Sequence, residues 1–301
     1  MIVQSSTKIK EAPRERFIHA VIIALLVIFG LVMLIPVLYI FSTAFSPTPA
    51  IARHGMILIP IYGFDFSTVG LMLSKNSGIL RAYGNTILIT VGGTSIGLLT
   101  TSMLAYAISK SHMPGVKIYK GSLIFTMLFG GGLIPTYLVI KWLGLIDTYW
   151  AMILPSICST YNTMLIMRYF ESIGPSMEES AKIDGANDLQ IFFRIYVPVS
   201  IPILITIGVF LFDGYWNSWF GPMMYINKDK MLPVQCILRQ MMQSSRFTDL
   251  VDGQHASEIS SKPSTQLQCS VIVITVVPLI VLFPFMQKYF IKGIMLGAVK
   301  E

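Results

Sequence analysis

Charge is scarce in this chain. Only 12% of its 301 residues are Asp, Glu, Lys or Arg, while 54% are hydrophobic and the mean hydropathy is +0.69. A soluble domain carries roughly twice that share of charge. The composition therefore excludes a water-soluble globule and predicts a multi-span membrane protein. Cysteine is scarce too: Cys158, Cys236 and Cys269 form no Cys-x-x-Cys pair, and His19, His54, His112 and His255 are scattered. A disulfide framework and a local zinc motif are unsupported, so no metal is expected. A Cys236–Cys269 bridge would need both side chains on the outer side; free thiols are the expected state. The formal charge of +7 is spread without a basic stripe. Positive charge at membrane edges accounts for it, and no nucleic-acid partner is expected.

Catalytic motifs are missing as well. There is no Gly-x-x-x-x-Gly-Lys-Ser/Thr loop, so the chain is not expected to bind ATP itself. No Gly-x-Ser-x-Gly or His-Glu-x-x-His stretch occurs, and no residue is named as catalytic. Ionisable groups inside the apolar runs are few; Asp213 is the clearest. Ion-driven carriers usually need such groups, and no inverted repeat is visible. Energy for any transport should come from outside the chain.

What is present is a series of apolar runs. An N-terminal segment, 1–16, carries Lys8, Lys10, Arg14 and Arg16. Six spans are predicted at about 17–45, 86–109, 121–140, 149–170, 197–217 and 267–286. The first is too long for a signal-peptide core and is read as an uncleaved span. The fold class is therefore an all-α membrane protein with six transmembrane helices and both termini on one side. Thirteen of the 22 Lys and Arg fall on that side, namely the four above, Lys110, Lys117, Lys120, Arg168, Lys182, Arg194, Lys288, Lys292 and Lys300. That bias favours cytoplasmic termini.

Between the fourth and fifth runs lies a polar segment, 171–196, on the same side. Ser176 stands three residues before Glu179, the spacing of a capping box. Gly185 stands where a helix could end in a left-handed residue. A helix of roughly two turns is predicted from Met177 to Asp184. Asn187 or Asp188 can cap a second helix carrying Ile191, Phe192 and Ile195. A two-turn helix is marginal alone in water, so it should dock against something. In the third run, Gly131, Gly132 and Pro135 suit a gate or a tight helix crossing, or ordinary small-residue packing. Tyr215, Trp216, Asn217 and Trp219 cluster at the outer end of the fifth run. They can form an interfacial belt, line a sugar path or touch an outer partner.

The order Glu179, Ala181, Asp184-Gly185-Ala186, Phe192, Ile195, Pro198, Pro202 resembles the EAA loop of ABC-importer permeases, with Ser180 where the family prefers alanine. Other stretches resemble the maltose-type carbohydrate branch. They are Asn85-Thr86, Gly131-Gly132-Leu133-Ile134-Pro135-Thr136-Tyr137, Gly144-Leu145-Ile146-Asp147-Thr148, Tyr215-Trp216-Asn217-Ser218-Trp219-Phe220, Leu232-Pro233-Val234-Gln235 and Gln287-Lys288-Tyr289-Phe290-Ile291-Lys292-Gly293. The resemblance implies a type I ABC-importer transmembrane domain over 17–301, in a bacterial cytoplasmic membrane. It implies a second, different permease chain, two cytoplasmic ATPase subunits that hold ATP and Mg, and an extracytoplasmic sugar-binding protein. No cofactor is implied in this chain. Glu179, Ala181, Asp184, Gly185, Ala186 and Phe192 would dock the ATPase, and the end of the chain would reach between the ATPase subunits. The Gly-Gly-Leu-Ile-Pro variant is most similar to permeases for oligomeric sugars. The rival readings are a permease of the same fold for another solute, an ion-coupled secondary carrier, and a membrane-embedded enzyme.

Overall fold

The computed structural model describes residues 13–55, 58–74, 78–243 and 261–298, with side-chain surroundings up to Pro284. The N-terminal charges before Pro13, and the side chains of the Gln287–Gly293 stretch, lie outside the described residues. Among the described residues every regular element is helical. In chain order these are α1 (Pro13–Phe45), α2 (Thr48–His54), α3 (Ser67–Met72), α4 (Ile79–Ser109), α5 (Val116–Leu128), α6 (Leu133–Trp142) and α7 (Trp150–Ile153). They continue with α8 (Thr160–Glu171), α9 (Pro175–Ile183), α10 (Asp188–Ile191), α11 (Val197–Val199), α12 (Ile201–Trp216), α13 (Phe220–Tyr225), α14 (Val234–Gln243) and α15 (Ser264–Ala298).

Helix α1 has no polar stripe. Its side chains are apolar around the whole circumference and exposed from Phe17 to Leu38, as for a helix bathed in lipid. Its 33 residues rise about 50 Å, more than the ~30 Å hydrocarbon core. Helices α1 and α2, the start of α3 and residues 264–273 of α15 form one compact unit. Inside it Gln266 is fully buried, with both ends of its amide hydrogen-bonded. Its Nε2 donates to Ser46 O at 2.9 Å, and its Oε1 accepts from the Thr48 hydroxyl at 3.0 Å.

The second unit is built around α4, on which α8, α12 and α14 pack. Close approach is set by glycines one turn apart. A Cβ at Gly93 would lie 2.7 Å from the Tyr215 ring of α12, and one at Gly97 would lie 3.1 Å from Ile157 O. This spacing of small residues is the one that lets membrane helices touch backbone to backbone.

Three of the predicted spans are not single helices. The run 121–140 breaks at Phe129–Gly132 into α5 and α6, which meet at 118°. Consecutive glycines lose the most backbone freedom in a helix, and Gly132 adopts φ 83°. Pro135 then fits the first turn of α6, where its missing N–H is harmless. The run 149–170 is α7, a 3₁₀ turn at Leu154–Ser156 around Pro155, and α8 capped by Ser159. The run 197–217 bends by 85° at Ser200, so only α12 continues as its span. Among the described residues α1, α4 and residues 264–284 of α15 are long and apolar enough to cross a bilayer, or up to five spans if each bent pair counts once. Among its described residues, the stretch between the fifth and sixth predicted spans contains α13 and α14.

Two stretches noted separately in the sequence are partners. Asn85 Nδ2 donates to Lys230 O at 2.9 Å and Leu232 O at 3.1 Å, and its Oδ1 accepts from the Tyr149 hydroxyl at 2.8 Å. Thr86 Oγ1 accepts from Val234 N at 2.9 Å. Asn85-Thr86 thus clamps Leu232-Pro233-Val234 against the start of α4. Replacing Asn85 by leucine strands two carbonyls and a hydroxyl. Each orphaned buried group costs about 1–3 kcal/mol, so Asn85→Leu should lower the melting temperature in detergent, while Asn85→Gln should lower it less.

Candidate functional site

The polar segment 171–196 is ordered by local chemistry. Helix α9 begins at Pro175, whose fixed φ suits the first helical position, with Gly174 as the N-cap at φ 62°. The expected Ser176–Glu179 capping box therefore does not form. Ser176 lies inside the first turn, and its carbonyl accepts from the Ser180 hydroxyl at 2.9 Å. The far end closes as the glycine spacing predicts. Gly185 has φ 82°, its N–H bonds Lys182 O at 3.0 Å, and Ala186 N–H bonds Ala181 O at 2.9 Å. This pair of bonds is the Schellman termination. Asn187 then starts α10 with a complete capping box to Gln190. A π-helical stretch, Phe192–Tyr196, leads through α11 to the bend at Ser200.

The segment is sewn into the bundle. Ile191, Phe192 and Tyr196 share a core with Ala105, Tyr106 and Ile108 of α4, Ile166, Met167 and Phe170 of α8, and Leu204, Ile207 and Leu211 of α12. Tyr106 packs on Phe192 with ring centroids 5.3 Å apart and on Tyr196 at 4.9 Å. By contrast, α9 has one buried side chain, and it is a carboxylate, Glu178. Glu178 forms a salt bridge with Lys110, the residue that follows α4, and a second with Lys182 at 2.8 Å. Lys110 also donates to the Tyr196 hydroxyl at 2.9 Å and sits 4.2 Å above the Tyr106 ring and 4.0 Å above the Tyr196 ring. Tyr196 OH donates to Glu178 at 3.3 Å. A cavity of about 410 Å³ opens beside this cluster, lined by Lys110, His112, Glu171, Glu178, Glu179 and Lys182.

Burial pushes the Glu178 carboxyl upward, but the hydrogen bonds and charges of Lys110 and Lys182 outweigh it and hold it at about 2. Burial likewise pulls the Lys110 ammonium down, against the pull of Glu178. An unfolded glutamate titrates near 4.5. The folded value is the lower one, so Glu178 stabilises the protein fully above about pH 4.5 and loses that contribution as pH falls toward about 2. Melting curves taken between about pH 6 and about pH 3 should show this acid loss. Glu178→Gln should flatten the part due to this group.

The anticipated docking residues divide in two. Glu179, Asp184 and Gly185 are exposed, beside Ile183, which is 86% exposed, and Leu189 and Phe193. Ala181 and Ala186 are half-buried against the core, and Phe192 is 1% exposed. Phe192 is thus an anchor of its own chain, and its exposed neighbour Phe193 presents the ring to the outside. Glu178 and Lys110 were missed by the sequence reading. The Glu178–Lys182 spacing of four was visible, but nothing local points across 68 residues to Lys110.

The aromatic group at the end of α12 is mostly structural. Tyr215 and Trp216 are buried; the Tyr215 hydroxyl donates to Ile153 O at 3.0 Å, and Trp216 packs on Phe212 and Tyr83. Asn217 bridges Asp213 at 2.8 Å and Gln235 at 3.1 Å. Trp219 is half-buried, and the Arg239 guanidinium covers its ring at 4.2 Å. Gly131, Gly132 and Pro135 form the α5–α6 elbow and are exposed. All three cysteines are free, with Cys236 and Cys269 buried.

Comparison with known proteins places this architecture. No family model matches the chain. The polygalacturonan/rhamnogalacturonan transport system permease protein YtcP of Bacillus subtilis strain 168 is 35% identical over 287 residues, 95% of this chain and 99% of that one. A chain in the crystal structure of a bacterial ABC transporter that imports the acidic polysaccharide alginate superposes with a TM-score of 0.84 at 33% identity. The match covers 93% of this chain and 99% of that one. A chain from a bacterial alginate ABC transporter bound to an alginate-pentasaccharide-loaded periplasmic protein shares the fold, at a TM-score of 0.54 and 16% identity over 91% and 93% of the two chains. The fold defines a multi-pass membrane transport subunit. The chain belongs to the permeases of sugar ABC importers.

Proposed function

We propose that this permease carries an acidic oligosaccharide inward across the bacterial cytoplasmic membrane, driven by ATPase subunits that grip α9. Six spans would then put both termini and the 171–196 segment in the cytoplasm. The carrying observation is the 33%-identical superposition, at a TM-score of 0.84, on an importer of an acidic polysaccharide. The substrate of the 35%-identical relative, polygalacturonan/rhamnogalacturonan, is also built with uronic acids. Arg239 adds support, because it is an exposed residue whose guanidinium, braced on Trp219, suits a uronate carboxylate. The exposed edge of α9 and its Schellman turn would enter a cleft on each ATPase partner. ATP and Mg would reside on those partners. A second, different permease chain and an extracytoplasmic sugar-binding protein would complete the transporter. The end of the chain would reach between the ATPase subunits.

Uptake of labelled oligogalacturonide by cells carrying the chain tests this. Unlabelled alginate oligosaccharide should compete and a neutral maltooligosaccharide should not, and ATP depletion should stop uptake. Competition by the neutral sugar alone would remove the acidic assignment. Uptake that survives ATP depletion under an ion gradient would favour the carrier reading.

A further inference from the structure

We propose that the Lys110–Glu178 pair, held between Tyr106 and Tyr196, is the joint that makes α9 and α4 move as one body. The proposal rests on the reading of α9 as the ATPase-gripped element. Helix α9 has nine residues and is marginal by itself. Most of its outward side chains are exposed, with Met177 at 46% and Ile183 at 86%. Its one fully buried side chain is Glu178, and the only apolar side chain it packs on the core is the small, half-buried Ala181. The neighbouring α10–α11 stretch is different: Ile191, Phe192 and Tyr196 fix it by apolar packing.

The chemistry of the anchor matters. Apolar contact is non-directional and lets surfaces slide. A half-desolvated ion pair with a third ligand in Tyr196 and two ring faces over the ammonium has one good geometry. The side chains of Lys110 and Glu178 are each only 11% exposed, so separating them would leave the Lys110 ammonium half-desolvated with no carboxylate beside it, which is strongly unfavourable. Lys110 is the C-cap of the 31-residue α4, the helix on which α8, α12 and α14 rest. A pull on α9 is thus delivered to the hub of the second unit, one residue beyond the end of its longest helix. Lys110 and Glu178 are positioning residues in this account; they touch neither sugar nor nucleotide.

The test uses cells in which a tagged chain replaces the original. Oligogalacturonide uptake is measured beside the amount of ATPase subunit that co-purifies and its ATP hydrolysis. A wild type that retains no ATPase would refute the underlying reading before any variant is compared. Given a wild type that retains it, Glu178→Gln should keep the ATPase and its hydrolysis within about twofold, because Glu179 and Ile183 are untouched. Uptake per assembled complex should fall about tenfold, within the range of coupling energies between sites. The swap Lys110→Glu with Glu178→Lys keeps one acid facing two bases, since Lys182 remains, and should recover at least about a third of the lost uptake. Unchanged uptake per complex in Glu178→Gln would overturn the proposal, as would a parallel loss of bound ATPase and uptake. Should Glu178→Gln not reach the membrane, Tyr196→Phe decides. It removes only the bridging hydroxyl and should lower uptake per complex about threefold, and no change would overturn the proposal.

Discussion

Replacing Gly185 by valine is expected to stop transport while the chain still inserts into the membrane. Gly185 holds φ 82° at the turn that ends α9. A β-branched residue in the left-handed region is strained by about 1–3 kcal/mol. No heavy atom lies within 4 Å of a Cβ placed there, so the penalty is purely one of backbone. The turn relieves it by opening, and the bonds Gly185 N–H to Lys182 O and Ala186 N–H to Ala181 O are lost. The angle between α9 and α10 then ceases to be fixed, and an ATPase pulling on α9 would turn the joint rather than the bundle. Uptake should fall more than about tenfold, the effect of ~1.4 kcal/mol or more. Because the space is empty, Gly185→Asn, which tolerates the left-handed region, should retain most transport. Equal loss in both variants would show that the site is sensitive to bulk, contrary to this account.

The second large effect is expected at Gly93. Its Cβ position is 2.7 Å from two atoms of the Tyr215 ring and 2.8 Å from a third. The ring has little freedom to retreat, because it is 5% exposed and its hydroxyl is tied to Ile153 O at 3.0 Å. Gly93→Ile forces α12 away from α4. Overpacking of this kind costs about 1–3 kcal/mol for modest insertions, and a branched side chain against an anchored ring should sit at the top of that range or beyond. Little folded Gly93→Ile protein should be recovered from the membrane fraction. Tyr215→Ala with Gly93→Ile should recover more than Gly93→Ile alone. A Gly93→Ile protein with wild-type yield and melting temperature would refute the α4–α12 crossing.

How much of this was legible in the sequence follows from how local each cause is. The apolar α1, a cap for α10 at Asn187 or Asp188, and the glycine at the end of α9 depend on residues within a few positions, and all were readable. The break at Gly130–Gly132 was visible as loosened helix; that it becomes a 118° elbow depends on what the two halves pack against. The start of α9 was misread by one competition: Pro175 takes the first helical position and displaces the Ser176 cap. Gly93 and Gly97 were a readable small-residue pair, overshadowed by the glycine run of the third stretch. The tie between Asn85 and Leu232, like that between Lys110 and Glu178, joins residues 147 and 68 positions apart. A single sequence carries no pattern for such pairs. For the same reason Phe192 read as a docking residue and proved to be an anchor: exposure is decided by Tyr106, far away in the chain.

On the proposed function, an ATPase drives this permease by gripping the exposed edge of α9. Affinity purification of the tagged chain in mild detergent, beside a Glu179→Ala, Gly185→Val double variant, tests it most directly. Glu179 is exposed, so its loss should leave stability within about 0.5 kcal/mol and act on binding. An ATPase subunit and a second permease should accompany the wild type, and the ATPase alone should be lost from the double variant. A wild type that runs by itself and takes up sugar in ATP-free vesicles under an ion gradient would contradict it.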